Sequence, residues 1–114
     1  MLLKSEIWVK AYLRRCARHG AFAAIARHGD DDAGAIFIKV LRRDGHATVF
    51  APAPAGLDES SFDRRWVRSL AGKFVPDAEA QRVLDREAGF DSDLWIVDVE
   101  DAEGRHFLGD DLVS

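Results

Sequence analysis

Seven residues, Ala35-Ile36-Phe37-Ile38-Lys39-Val40-Leu41, constrain this chain more than any others. They are almost continuously apolar and rich in β-branched side chains, the pattern of a strand buried on both faces. Asp44-Gly45 follows as a hairpin signal, because both central residues of a type I′ turn need positive φ. His46 to Ala51 then supplies the returning strand.

Around this hairpin the periodicity changes. Ser5-Glu6 opens a helical pattern over residues 6–19, with Ser5 placed as N-cap and Gly20 as the glycine beyond the C-terminus. At 100° per residue, Trp8, Val9, Tyr12, Leu13 and Cys16 share one face, and Lys10, Arg14 and Arg18 line the opposite one with Arg15 at its edge. Phe22 to Arg27 reads as a strand. The prolines of Pro52-Ala53-Pro54 stop the sheet and begin an exposed loop to about Ser61, and Phe62 to Leu70 reads as a further strand. Pro76 starts a second helix that Gly89 ends, with Ala80, Val83, Leu84 and Ala88 as its apolar stripe. Leu94 to Glu100 is a strand, and a turn around Gly104 leads to a last short strand at His106-Phe107-Leu108. Two helices cannot supply the crossovers of a fully parallel sheet. The expected fold is therefore one α+β domain over residues 1–114: a mainly antiparallel sheet of about five strands with two packing helices.

Composition narrows the functional classes. With 114 residues, 47% of them hydrophobic and 32% charged, the chain can bury a core without metals or disulfides. One cysteine excludes a disulfide framework and a multi-cysteine zinc cage. No apolar run approaches the ~20 residues of a membrane span, and no secretory signal is visible, so the expected location is the cytoplasm without membrane attachment. The net charge of -4 is unevenly distributed. Residues 1–50 carry nine Lys/Arg against five Asp/Glu, and residues 77–114 carry three against twelve. An acidic total argues against a nucleic-acid partner, since phosphate affinity needs concentrated positive charge.

Two segments are distinctive: Leu3-Lys4-Ser5-Glu6-Ile7-Trp8-Val9 with Ala11-Tyr12-Leu13-Arg14-Arg15-Cys16, and Phe90-Asp91-Ser92-Asp93-Leu94-Trp95-Ile96-Val97-Asp98-Val99-Glu100-Asp101. Together they resemble an alphaproteobacterial family of small proteins, domain of unknown function 1491, from Leu3 to about Leu108. The resemblance implies a small stand-alone bacterial protein of the cytoplasm. It brings no activity, substrate or catalytic residue.

Candidate chemistry is sparse. Asp98 and Glu100 are two apart on a strand, so they leave one face as a carboxylate pair of the kind that holds Mg²⁺; the plainer reading is a strand emerging into solvent. Glu87 falls within the apolar stripe of the second helix and near its negative end, which calls for a basic partner or marks a carboxyl of raised pKa. His19, His28, His46 and His106 form no helix-borne zinc pattern and read as surface or cap residues. Cys16 is expected to be buried and inert. No Walker loop, dinucleotide fingerprint or Gly-x-Ser-x-Gly elbow occurs, and no cofactor or metal is expected. The basic stripe can face solvent alone, pair with the acidic C-terminal half or meet an external acidic partner. For a partner, Lys10, Arg14, Arg15 and Arg18 form the favoured contact surface, with Trp66, more readily read as a core residue, as an added apolar anchor. The sequence thus favours a non-catalytic binding or adaptor module acting through a protein partner or self-association. A carboxylate enzyme or metal-binding domain using Glu87, Asp98 and Glu100 comes next, and a nucleic-acid accessory factor third.

Overall fold

The computed structural model describes residues 3–54 and 64–113. Two helices, α1 (Ser5–Arg18) and α2 (Asp77–Phe90), flank a sheet of six strands: β1 (Phe22–Arg27), β2 (Ile36–Leu41), β3 (His46–Pro52), β4 (Trp66–Arg68), β5 (Val75–Pro76) and β6 (Trp95–Glu100). The spatial order is β1-β6-β2-β3-β4, with β5 also paired to β3. β2 and β6 run parallel in the middle, and the other pairs are antiparallel. The fold is α+β with a mainly antiparallel sheet, as the element pattern implies.

Alternation along β2 and β6 divides the core. Ile36, Ile38, Val40, Trp95, Val97 and Val99 face α1 and pack on Val9, Tyr12 and Cys16. Phe37, Val49 and Ile96 face the other way, toward Ala80 and Leu84 of α2. A strand buried on both faces needs a helix on each side, and the two amphipathic helices supply them.

Several local expectations change. Ser5 is the first helical residue, not the cap. The free N–H groups of Ser5 and Glu6 reach the carbonyls of Asp32 and Asp31, so the Ser5 hydroxyl is released from capping. It donates instead to the Gly34 carbonyl at 2.7 Å and accepts from Arg64 at 2.9 Å. The helix end is as anticipated: Gly20 has φ 81°, and the N–H groups of Gly20 and Ala21 bond to the carbonyls of Ala17 and Cys16. The β2–β3 turn is not type I′. Gly45 alone has positive φ, the Gly45 N–H bonds to the Arg42 carbonyl, and the Arg42 N–H bonds to the His46 carbonyl. These bonds make a type I turn closed by a left-handed glycine, a three-residue hairpin loop. The second helix passes through Gly89 and ends at Phe90.

The expected strand at His106–Leu108 does not form. Phe107 has φ 56°, which breaks extended geometry, and the segment instead closes the bottom of α1. Tyr12 Oη donates to the His106 carbonyl at 2.6 Å, Arg15 Nη1 donates to the Phe107 carbonyl at 2.8 Å, and Leu108 is buried. Of the loop expected to Ser61 and the strand expected from Phe62, residues 55–63 lie outside the described residues. The remainder of that strand spans only Trp66–Arg68, because Leu70 and Ala71 both take φ 54°. Trp66 belongs to the core rather than to a surface anchor: at 1% exposure its ring lies tilted against Trp8 with centroids 4.2 Å apart, and Nε1 donates to the Ile36 carbonyl at 2.9 Å.

The loop between β1 and β2 is held against the start of β6. Asp30 N–H bonds to the Asp93 carbonyl at 2.9 Å, and Trp95 Nε1 donates to the Asp30 carbonyl at 2.8 Å. Gly29 and Gly34 approach so closely that a Cβ on either would collide with the Asp93 carbonyl oxygen.

Candidate functional site

α2 lies over β3, β5 and β2, and leaves the far end of the same sheet face open. Register determines what stands there. One cross-strand row is Ala24, Asp98, Lys39 and Val49; the next is Phe22, Glu100, Leu41 and Ala47. Phe22, Ala24, Lys39, Leu41, Asp98 and Glu100 line a cleft of about 260 Å³. A second, broader depression of about 390 Å³ adjoins it at Leu41 and Glu100 and extends to Arg42, Arg43 and Asp101.

Lys39 is the unusual residue. It is only 6% exposed on a sheet face, and burial of an ammonium requires partners. Its Nζ lies 2.9 Å from Asp77 Oδ1 and donates to Gln81 Oε1 at 3.0 Å. Asp98 is its cross-strand neighbour. Asp98 Oδ1 is buried and has no hydrogen-bond partner among the described residues. Burial pushes the Asp98 carboxyl above the usual Asp range; Lys39 opposes that shift, while Asp77 and Glu100 add to it. One ammonium thus faces three carboxylates, and a hydrogen-bond acceptor is left unmet.

A carboxyl raised in the folded state binds more protons folded than unfolded, so its contribution to stability falls as pH rises above the ordinary Asp range. Asp98→Asn is therefore expected to be more stable than the parent at pH 7, by about 1 kcal/mol, the order of a single stabilising substitution. The two proteins should converge in acid, below the ordinary Asp range. Urea titrations at several pH values would show it, and a variant less stable at neutral pH would overturn it.

The sequence candidates separate into groups. Asp98 and Glu100 share one face and one cleft, as their spacing implies. Glu87 stands about 15 Å further along the axis of α2 than Asp77. It is partly buried, lines neither cleft, and its carboxylate makes no hydrogen bond or ion pair among the described residues. On α1, Lys10 is paired with Glu6 at 2.6 Å and Arg15 is tied to the Phe107 carbonyl. Arg14 and Arg18 are exposed without an ion pair among the described residues, so the basic helix face does not meet the acidic half through salt bridges. The acidic half has its own internal pairing: buried Asp101 binds Arg105 at 2.8 Å, and that guanidinium holds its carboxyl below the usual range. Cys16 is buried, and burial pushes its thiol up. His106 is partly buried, which lowers its pKa, and its Nδ1 accepts the Leu108 N–H. Among the described residues no group of three or more His, Cys, Asp or Glu side chains is placed to hold a metal ion. No described helix is long and apolar enough to cross a membrane.

Lys39 and Asp77 are absent from the sequence candidates. A signal for them exists. Lys39 is the single charge in Ile36–Leu41, and Asp98 is the first charge after Leu94-Trp95-Ile96-Val97. Opposite charges, each interrupting an apolar strand, point to neighbouring positions on one face.

The architecture defines a small α+β domain with an α-helix on each sheet face and a charged cleft beside an open edge. The chain belongs to the family described as protein of unknown function (DUF1491), whose family model matches residues 3–109. It is similar to a crystal structure of a DUF1491 family protein from Caulobacter crescentus CB15, at 37% identity over 100% of both chains and a TM-score of 0.82. An NMR structure of a DUF1491 family protein from the same organism matches at 40% identity over 100% of this chain and 99% of that one, with a TM-score of 0.81. The solution structure of protein Atu0922 from A. tumefaciens matches at 42% identity over 89% of this chain and 87% of that one, with a TM-score of 0.76. A comparison with curated proteins gives no match.

Proposed function

We propose that this chain is a non-catalytic binding module that receives a protein partner along the β1 edge of its sheet. The observation that carries the reading is the edge itself. β1 pairs with β6 on one side, and no backbone hydrogen bond joins its other side to a described element. Its six residues contain no proline and end in a single charge, Arg27. Phe22 is 63% exposed and Ile25 38%. Natural edge strands are usually blunted by charge, proline, a bulge or a covering loop; here a bulge interrupts the register between Ile25 and Arg27, and Phe22–Ile25 before it carry none of these devices and form a template for strand addition. A second reading places the contact on Lys10, Arg14, Arg15 and Arg18; the exposed, unpaired Arg14 and Arg18 favour it.

Two variants separate the readings. Phe22→Lys with Ile25→Lys blunts the edge, and Arg14→Glu with Arg18→Glu reverses the helix face. In affinity capture from a bacterial extract, the edge variant is expected to lose proteins that the helix variant retains. Loss from the helix variant alone would move the contact to α1, and identical capture by both would overturn the edge.

A further inference from the structure

We propose that the β1 edge takes an extended segment whose lysine or arginine side chain crosses Ala24 to meet Asp98, with an apolar residue two positions away on Phe22. This inference rests on strand addition at β1 and assigns the chemistry of the partner.

Strand spacing supplies the geometry. A strand added outside β1 lies about 4.8 Å from it and roughly 10 Å from β6. Its side chains on the α2 face continue the two existing rows. In one row the next residue inward is Ala24, a single methyl group, and beyond it stands Asp98. The long stem of a lysine or arginine can lie over that alanine and bring its charge to the carboxylate, and a shorter side chain cannot. In the other row the next residue inward is Phe22, whose exposed ring offers an apolar platform in front of Glu100. The required pattern is basic, any, apolar.

Charge and hydrogen bonding agree with that pattern. Lys39 is already engaged by Asp77 and Gln81 on the side away from β1. It serves Asp77 and Asp98 together, so the Asp98–Glu100 pair on the side toward the edge is only partly compensated. Asp98 lines the cleft, and a charge-assisted bond from an incoming N–H donor to its carboxylate is stronger than a neutral one. A second copy of this chain fits less well. Its β1 would lay Phe22, Ala24 or, past the bulge at Ala26, Arg27 on this face; Arg27 stands five positions from Phe22 rather than two, and it donates to the Ser92 carbonyl. The occupant that matches the cleft is a foreign basic strand.

The test uses two defined peptides, the acetylated amides Thr-Val-Thr-Arg-Thr-Val-Thr and Thr-Val-Thr-Glu-Thr-Val-Thr. Each is palindromic, so either strand direction presents the same face. Both are titrated into the ¹⁵N-labelled protein while backbone amide shifts are followed. The arginine peptide is expected to shift amides of residues 22–27 and 98–100 and to bind about tenfold more tightly than the glutamate peptide, the range of one charge pair plus relief of one repulsion. Asp98→Asn with Glu100→Gln should abolish that difference. Equal binding of both peptides at β1 would overturn the basic-strand inference and leave edge addition standing. No shift in β1 with either peptide would overturn both. Concentration-dependent shifts in β1 without peptide would assign the edge to self-association and also overturn the inference.

Discussion

Trp66→Ala is expected to lose about 4 kcal/mol of stability, the upper range for removing a buried aromatic. Trp66 joins elements distant in sequence: its ring lies on Trp8 of α1, its Nε1 bonds to the β2 carbonyl of Ile36, and its own carbonyl accepts from Val113. Truncation leaves a cavity beneath α1 and an acceptor on β2 without its donor. Trp66→Phe retains most of the volume and loses the hydrogen bond, so its expected cost is smaller, about 1–2 kcal/mol. Urea denaturation with an unchanged slope would measure both losses as shifts of midpoint. A Trp66→Ala protein within about 1.5 kcal/mol of the parent would show that the site collapses without cost.

The second large effect comes from adding one carbon. Gly34→Ala is expected to cost about 3 kcal/mol, because the new Cβ meets backbone on both sides: the Asp93 carbonyl oxygen and the N and O atoms of Asp30. Flexible side chains can yield to a methyl group; backbone held by the Asp30–Asp93 hydrogen bond yields far less. The loop must lift, and the Ser5 hydroxyl bond to Gly34 and the Asp30–Asp93 bond weaken with it. Gly20→Ala is the contrasting control. A Cβ there meets nothing, so its cost comes only from the left-handed backbone at φ 81°, about 1 kcal/mol. Equal losses for the two variants would remove the close-approach argument.

How much of this was legible in sequence differs by element. α1 was readable because a 3.6-residue period, a basic outer stripe and a terminal glycine all agree, and such agreement between levels leaves few alternatives. Its cap was misplaced because the acceptors for the first N–H groups come from residues 31 and 32, a tertiary contact that no local pattern records. The hairpin was readable from Asp44-Gly45, but its turn type was not. A three-residue loop and a two-residue loop share that dipeptide. His106-Phe107-Leu108 resembles a strand because three apolar or ring-bearing residues in a row fit a buried irregular segment equally well. At the site, Asp98 and Glu100 could be placed on one face from their spacing. Lys39 carried a signal as the lone charge of its strand, but its pairing with Asp98 stayed hidden, since the parallel register of β2 with β6 joins residues 59 positions apart. The open edge was equally hidden: which strand lies outermost depends on the order of pairing.

That order also sets a timetable. β6 is the last strand to be synthesised, yet it occupies the place between β1 and β2. Until residues 95–100 have left the ribosome, the first strand has no neighbour, and half of the surface under α1 has nothing to rest on. Early hairpin formation by β2 and β3 is local and fast, but closure of the sheet waits for a contact spanning most of the chain. A nascent chain therefore carries β1 without its partner until residues 95–100 emerge, and those residues, rather than the first helix, complete the sheet.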